Sequence, residues 1–262
     1  MQCPFNAAQY KSIFLHSLTT GAFAALVATG SLFDDDTAAV ALVPVVAVVA
    51  ALTAVIVAAW VFTSAVDASL PPGSACERVF CGSLYCFKRA NLKTRYCAVS
   101  KKKVPGMDHF CVWMNTAIGA RNYPGFFMVA LFSVVLYAFQ IALSFVSFVQ
   151  RAPSAVPVVL STVHLLCAGG VGGLYAYLLS GHCYLIWRQI STFDYLMEKA
   201  KQRAEERKAA KRSKKNEAET NGVIANVKTG AEGDDADGGP EDIENMGNDA
   251  LQVTTTVYKA AE

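Results

Sequence analysis

Three side chains suited to thiol chemistry stand together at Asp108, His109 and Cys111, inside the stretch MDHFCVWMN from Met107 to Asn115. A cysteine thiol titrates near pH 8.5, so it needs a base or a positive field to act as a nucleophile near neutrality. In an extended or turn segment, residues two apart project to the same side, which brings the His109 imidazole within reach of the Cys111 sulfur. Asp108 would then fix the His109 tautomer and stabilise its imidazolium, as the acid of a triad does. A short D-H-x-C pattern also fits an ordinary buried patch, so the surrounding elements decide its meaning.

Those elements are strongly apolar. Of 262 residues, 53% are hydrophobic, and they gather into four runs: Ile13 to Phe33, Ala38 to Val66, Tyr123 to Gln150 and Ala155 to Trp187. Each can cross a hydrocarbon core of about 30 Å, which takes roughly 20 helical residues. The first run is longer than a signal-peptide core and three more follow it, so it reads as the first of four membrane helices. Nine Lys and Arg lie between runs two and three, and a basic run from Lys199 to Lys215 follows run four. The other two connections hold DDDT at 34–37 and a lone Arg151. The positive-inside rule therefore places the middle loop and both termini in the cytosol. With the basic residues hugging the membrane boundaries, no nucleic-acid motif is present.

Five of the eight cysteines, Cys76, Cys81, Cys86, Cys97 and Cys111, fall in the middle loop. In a reducing cytosol such a cluster points to metal binding or catalysis rather than to disulfides. Glu198 to Lys215 lacks Gly and Pro and reads as a helix, either lying on anionic lipid or simply solvated. The acidic, Gly-rich stretch from Thr229 to Gly247 reads as disordered. No internal repeat is visible. Single histidines in the spans, His16 and His164, read as hydrogen-bonded between helices, and Cys167 and Cys183 as small packing residues. The glycines at 169, 170, 172 and 173 leave room beside the fourth run or, the commoner use, let helices pack closely.

The longer run MDHFCVWMNTAIGARNYPGFF resembles the signature of the DHHC family of protein S-palmitoyltransferases. Met107, Asp108, His109, Cys111, Trp113, Asn115, Gly119, Asn122, Tyr123 and Phe127 match at the family's spacing. RQISTFDYL resembles its T-T-x-E element, with Ser191, Thr192 and Asp194 as conservative replacements, and Gly222 and Asn226 match its C-terminal G-x-x-x-N element. The resemblance implies an all-α polytopic membrane protein with four transmembrane helices and a small irregular cytosolic cysteine-rich domain between helices two and three. The expected divisions are 1–66 (N-terminal segment and helices one and two), 67–122 (cysteine-rich domain), 123–187 (helices three and four) and 188–262 (cytosolic basic helix, then acidic tail).

By the same resemblance, the activity is S-acyl transfer from acyl-CoA, such as palmitoyl-CoA, through a Cys111 thioester to cysteines of membrane-associated proteins. His109 and Asp108 are the catalytic partners, and Thr192, Ser191, Asp194, Trp113 and Asn115 support them. Arg95, Lys101, Lys102 and Lys103 are candidates to meet the CoA phosphates or a lipid surface. The family's commonest address is the ER or Golgi. The departures concern zinc. Of the family's ligand positions, Cys86 and Cys97 survive, with Cys81 displaced, whereas Tyr96, Ser100, Lys103, Phe110 and Ala117 replace the others. Lys, Phe and Ala cannot ligate zinc, so structural zinc is expected to be lost or reduced, with apolar packing by Tyr96, Phe110, Val112 and Ala117 in its place. A makeshift site from Cys76, Cys81, Cys86 and Cys97 is the alternative for the metal. A pseudoenzyme or accessory membrane subunit is the alternative for the function.

Overall fold

The computed structural model describes residues 6–30, 32, 35–70, 93–150 and 155–229. The chain forms two compact units, residues 1–193 and 194–262. Four helices in the first unit are long and apolar enough to cross a membrane. They are α1 (Ala7–Ala28), α2 (Asp35–Ala65), α3 (Tyr123–Gln150) and α4 (Ala155–Trp187). The last two coincide with the apolar runs in the sequence. α1 begins earlier than its apolar run because Asn6 and Gln9 form a capping box: the Asn6 side chain accepts from the Gln9 amide at 2.8 Å and the Gln9 side chain accepts from the Asn6 amide at 3.0 Å. It ends before Gly30, whose φ of 63° no helix continues.

α3 is the centre of the bundle and packs on both α2 and α4, while α1 packs on α4. The α3 seam has buried Ser133, Tyr137, Gln140, Ser144 and Ser147 at alternating spacings of four and three, so one narrow stripe turns inward. Lipid tails give apolar side chains no reason to prefer a neighbouring helix, so polar bonds and close approach do that work. Ser144 Oγ lies 2.7 Å from His164 Nδ1, and Ser161 donates to Ser147 at 3.3 Å. His16 joins three helices, with Tyr175 Oη 2.8 Å from its Nε2 and Tyr137 Oη against its Nδ1. Both histidines thus link helices, as their isolation in apolar runs suggested. Cys167 and Cys183 do not serve as packing residues: the first is half-buried and the second exposed, because neither falls on the inward stripe.

Between α2 and α3, the described loop folds into two antiparallel hairpins. β1 (Arg95–Cys97) pairs with β2 (Lys102–Val104), and β3 (His109–Cys111) with β4 (Thr116–Ile118). A shift of fourteen residues superposes one pattern on the other: Cys97 corresponds to Cys111, and Lys101 (φ 54°) to Asn115 (φ 51°). This is a structural repeat that the sequence hides, because RYCAVSKKKV and HFCVWMNTAI share only the cysteine. Each four-residue turn closes through a residue in the left-handed region, where Asn115 is well suited and Lys101 is tolerated.

After α4 the chain turns sharply through Gln189 (φ 54°), with Gln189 N donating to Ile186 O and Ile190 N to Leu185 O. This double closure is a Schellman ending, and it leads directly into α5 (Thr192–Thr229). The second unit consists of α5 from Asp194 onward among the described residues, and it is exposed throughout 201–216. α5 extends the helix expected at Glu198 to Lys215 in both directions and includes the backbone of Gly222 and Asn226. The Gly-rich acidic tail beyond Thr229, and Cys76, Cys81 and Cys86, lie outside the described residues.

The four α4 glycines now separate. A Cβ on Gly172 would meet Tyr137 Cβ at 2.9 Å, whereas Gly169, Gly170 and Gly173 have open space around them. Gly172→Val should therefore push α3 from α4 and cost about 1–3 kcal/mol, while Gly173→Val should be nearly neutral. Thermal unfolding of the two variants in the same detergent checks this.

Candidate active site

Strand β3 carries the three reactive groups into a corner between the second hairpin, α3 and the end of α4. Asp108 precedes the strand and is fully buried, its amide donating to Ile118 O at 2.8 Å across the hairpin. A buried carboxylate is costly unless its lone pairs are satisfied. Here Thr192 N donates to Oδ1 at 3.0 Å and Thr192 Oγ1 donates to Oδ2 at 2.6 Å. Phe193 N also donates to the Asp108 carbonyl at 2.9 Å. The start of α5 thus caps the acid with its otherwise unpaired amides, an arrangement that favours negative charge.

His109 Nδ1 lies 2.8 Å from Asp108 Oδ2, which leaves Nε2 for the other side of the ring. Burial alone would depress the His109 pKa, but hydrogen bonds with Asp108 and Cys111 and their negative charge outweigh it and raise it to about 9. Cys111 itself is buried and sits in an apolar cluster with Ala59, Met114, Ile118, Tyr123, Phe126 and Phe127. The arrangement is thus acid, imidazole and thiol in sequence, with the sulfur on the apolar side. Such a site can hold a thiolate beside an imidazolium and keep bulk water from the sulfur.

The remaining sequence candidates divide. Ser191 is buried, and Thr192 bonds Asp108. Asp194 is the acid of the first turn of α5. Asn115 shapes the turn after Cys111, and Trp113 at its tip is half exposed. Asn122 is fully buried and bonds three ways, accepting from Gly119 N and donating to Thr63 O and Ala117 O. Of the basic candidates, Lys102 donates to Asp67 at 2.6 Å, a hydrogen bond that holds the Asp67 carboxyl down at about 2, and Arg95 lies over the Phe193 ring at 4.6 Å. Lys101 and Lys103 are exposed.

At the former ligand positions, Phe110 and Ala117 face each other across β3 and β4 and are both buried. Tyr96 faces Lys103 across β1 and β2 but is 61% exposed, so it is not part of the apolar packing expected of it. None of these four side chains fits a zinc ion. Asp108, His109 and His182 do place one ligand-type atom each within 4.8 Å of one another. The Asp108 oxygens and His109 Nδ1 are, however, already bonded to each other and to Thr192, which suits a proton-holding chain better than a metal cage.

Two groups at the site were missed in the sequence. His182 on α4 is buried, with its ring centroid 5.7 Å from that of His109 and its Nδ1 3.1 Å from Tyr123 Oη. Its signal was its place seven residues after Tyr175, on the same inward stripe. Asn6 donates to Val112 O at 2.9 Å, tying the start of α1 to the residue after Cys111. Only the capping-box spacing of Asn6 and Gln9 hinted that α1 starts there.

The raised His109 pKa has a definite sign. Folded His109 keeps its proton to about pH 9, whereas the unfolded ring loses it near 6.5, so its contribution is full below pH 6.5 and is lost as pH rises through about 9. The melting temperature of the protein should accordingly exceed that of His109→Gln at pH 6, and the gap should close by pH 9.5 in the same detergent.

Comparison with known proteins agrees with this geometry. Residues 76–199 match the family profile described as DHHC palmitoyltransferase. A protein called "Probable protein S-acyltransferase 15" of Arabidopsis thaliana is 31% identical over 114 residues, 42% of this chain and 45% of that protein. "Probable protein S-acyltransferase 12" of the same plant is 37% identical over 92 residues, 32% of this chain and 31% of that protein. "Palmitoyltransferase ERF2" of Eremothecium gossypii is 35% identical over 107 residues, covering 40% and 28% respectively. The chain therefore spans less than half the length of the curated relatives it matches. Over residues 76–199, the chain is similar to the DHHC palmitoyltransferase family.

Proposed function

We propose that the protein is a membrane-embedded protein S-acyltransferase whose acyl donor is a long-chain acyl-CoA and whose nucleophile is Cys111. The observation that carries this reading is the continuous hydrogen-bonded chain from Thr192 through Asp108 to His109, with Cys111 on the far side of the ring. In the first step the Cys111 thiolate attacks the acyl-CoA thioester carbonyl. The carbon–sulfur bond to CoA breaks, and the leaving thiolate takes the proton held by His109. In the second step His109 accepts the proton of an incoming protein thiol, which attacks the acyl-Cys111 thioester and releases the Cys111 thiolate. Each step exchanges one thioester for another, so little free energy is needed. What catalysis requires is thiolate, position and exclusion of water.

The loop and both termini are cytosolic in this reading, which places Cys111 beside membrane-associated protein substrates with cytosolic cysteines. Lys101 and Lys103 are the exposed cations left to attract CoA phosphates, since Lys102 and Arg95 are engaged. In this reading the second hairpin holds its shape without zinc, with Phe110 and Ala117 paired where ligands would stand and Asn6 and Asn122 tying it to its neighbours. The competing reading, a scaffold that retains the motif without acylating, is favoured by that same loss of ligand positions.

Incubating the detergent-purified protein with labelled palmitoyl-CoA separates the two. The wild type should take up hydroxylamine-sensitive label and Cys111→Ser none. Absence of label from both would leave the scaffold reading, and label surviving Cys111→Ser would move the nucleophile elsewhere. Metal analysis of the same sample should find fewer than two zinc ions per chain, and two would refute the expected loss of structural zinc.

A further inference from the structure

His182 has no part in the two steps above, yet it is buried beside them, and a polar ring on a membrane helix is costly without a task. Its surroundings are specific. Phe126 stands edge-on to both imidazoles, 4.8 Å from His182 and 5.1 Å from His109. Tyr123 Oη bonds His182 Nδ1 at 3.1 Å, so the ring cannot turn without losing that bond. A nitrogen of His182 falls within 4.8 Å of ligand-type atoms of both Asp108 and His109. Three elements, α3, α4 and the β3 strand, thereby meet at two imidazoles and one aromatic wedge.

We propose that His182, held by Tyr123, is a positioning residue for acyl transfer: it fixes the His109 ring between Asp108 and Cys111 and so sets how readily Cys111 becomes thiolate. The proposal rests on the S-acyltransferase reading for its biological use, but not for its physics. With Asp108 on one side and Phe126 on one edge, His109 still has a free direction toward α4, and His182 fills it. A ring left free to swing would share its time between geometries that do and do not face the sulfur. The Cys111 thiolate would then need a higher pH to form. His182 thus serves as a wall against which the His109 ring rests. Among the described residues, the titratable groups that face the pair include Asp108, Cys111 and Tyr123, and Tyr175, which interacts with Cys111, is tied in turn to His16.

The test uses the full chain in detergent and reads Cys111 alkylation by iodoacetamide, resolved by mass spectrometry on the Cys111 peptide, from pH 5.5 to 9.5. Self-acylation with palmitoyl-CoA is followed in parallel. His182→Phe keeps an aromatic ring in contact with Phe126, and Tyr123→Phe removes the hydroxyl that bonds His182. His182→Phe should move the acid limb of the alkylation profile up by about one pH unit, roughly a tenfold slower reaction below the limb. Tyr123→Phe should shift it in the same direction by less, with both variants melting within a few degrees of wild type. A His182→Phe profile superimposable on wild type overturns the proposal, as does a uniform loss of rate at every pH, which marks a merely structural role. If His182→Phe melts early, the Tyr123→Phe profile decides alone. Because alkylation needs no acyl-CoA, a wild type that never self-acylates would sink the S-acyltransferase reading while the alkylation profiles still judged His182.

Discussion

A single buried carboxylate organises the site. Asp108 accepts from the hydroxyl and amide of Thr192 and lies against His109, while its own amide and carbonyl bond Ile118 and Phe193. Stripping one donor from a buried charge costs several kcal/mol, more than the few tenths that most surface contacts supply. The chain must therefore bring the end of α4 back to the second hairpin to satisfy the acid. That requirement explains the sharp Schellman ending at Gln189, where a residue other than glycine accepts a left-handed conformation. The same bonds that satisfy Asp108 also aim His109, so stability and chemistry draw on one set of contacts.

How much of this was legible before the structure depends on the range of each interaction. The trio at 108–111 is local, and residue types at short spacing reveal it. α3 and α4 are bounded by polarity changes at both ends, so their limits were readable from composition. Thr192 was found only through likeness to a family motif, since nothing local connects it to Asp108. His182 had only its spacing of seven from Tyr175 as a local signal, and its place beside His109 depends on α4 passing the hairpin at one particular height. The hairpin repeat was equally hidden. Backbone pairing and a left-handed fourth turn residue define it, and Lys101 and Asn115 show that different side chains meet that demand. For Tyr96 the sequence misled, because aromaticity suggests burial whereas the first hairpin turns that face outward.

The loss of ligand positions raises an energetic question about the second hairpin. A structural zinc ion brings on the order of 10 kcal/mol to a small finger, whereas a cross-strand pair such as Phe110 and Ala117 brings about 0.2–1. The pair cannot replace the metal by itself. The difference has to come from contacts that reach out of the hairpin, and the described residues supply them in number. Asn122 bonds Ala117 O, Gly119 N and Thr63 O, Asn6 bonds Val112 O, and Met114 and Ile118 bury themselves against Ala59 and the first turn of α3. At about 1 kcal/mol for each net hydrogen bond and about 1.5–3 for each large buried side chain, these reach the scale of a metal site.

The two hairpins then differ in kind despite their shared pattern. Among the described residues, the first keeps Cys97 buried and is joined to its surroundings by an exposed ion pair from Lys102 to Asp67, worth under about 1 kcal/mol, by Arg95 over Phe193, by the Ala120 amide on Pro105 O and by Val104 pressed near Gly119. The second is built into the membrane bundle through α1, α2 and α3 at once. A finger stabilised by metal carries its own order and can sit on the bundle as a separate piece. A hairpin stabilised by its neighbours keeps its shape only where those helices stand, so Cys111 is positioned by the membrane domain itself. The Cys111 sulfur and the helices packed around its hairpin are thereby joined, and a change in packing at Thr63 or Asn122 reaches the hairpin through two hydrogen bonds.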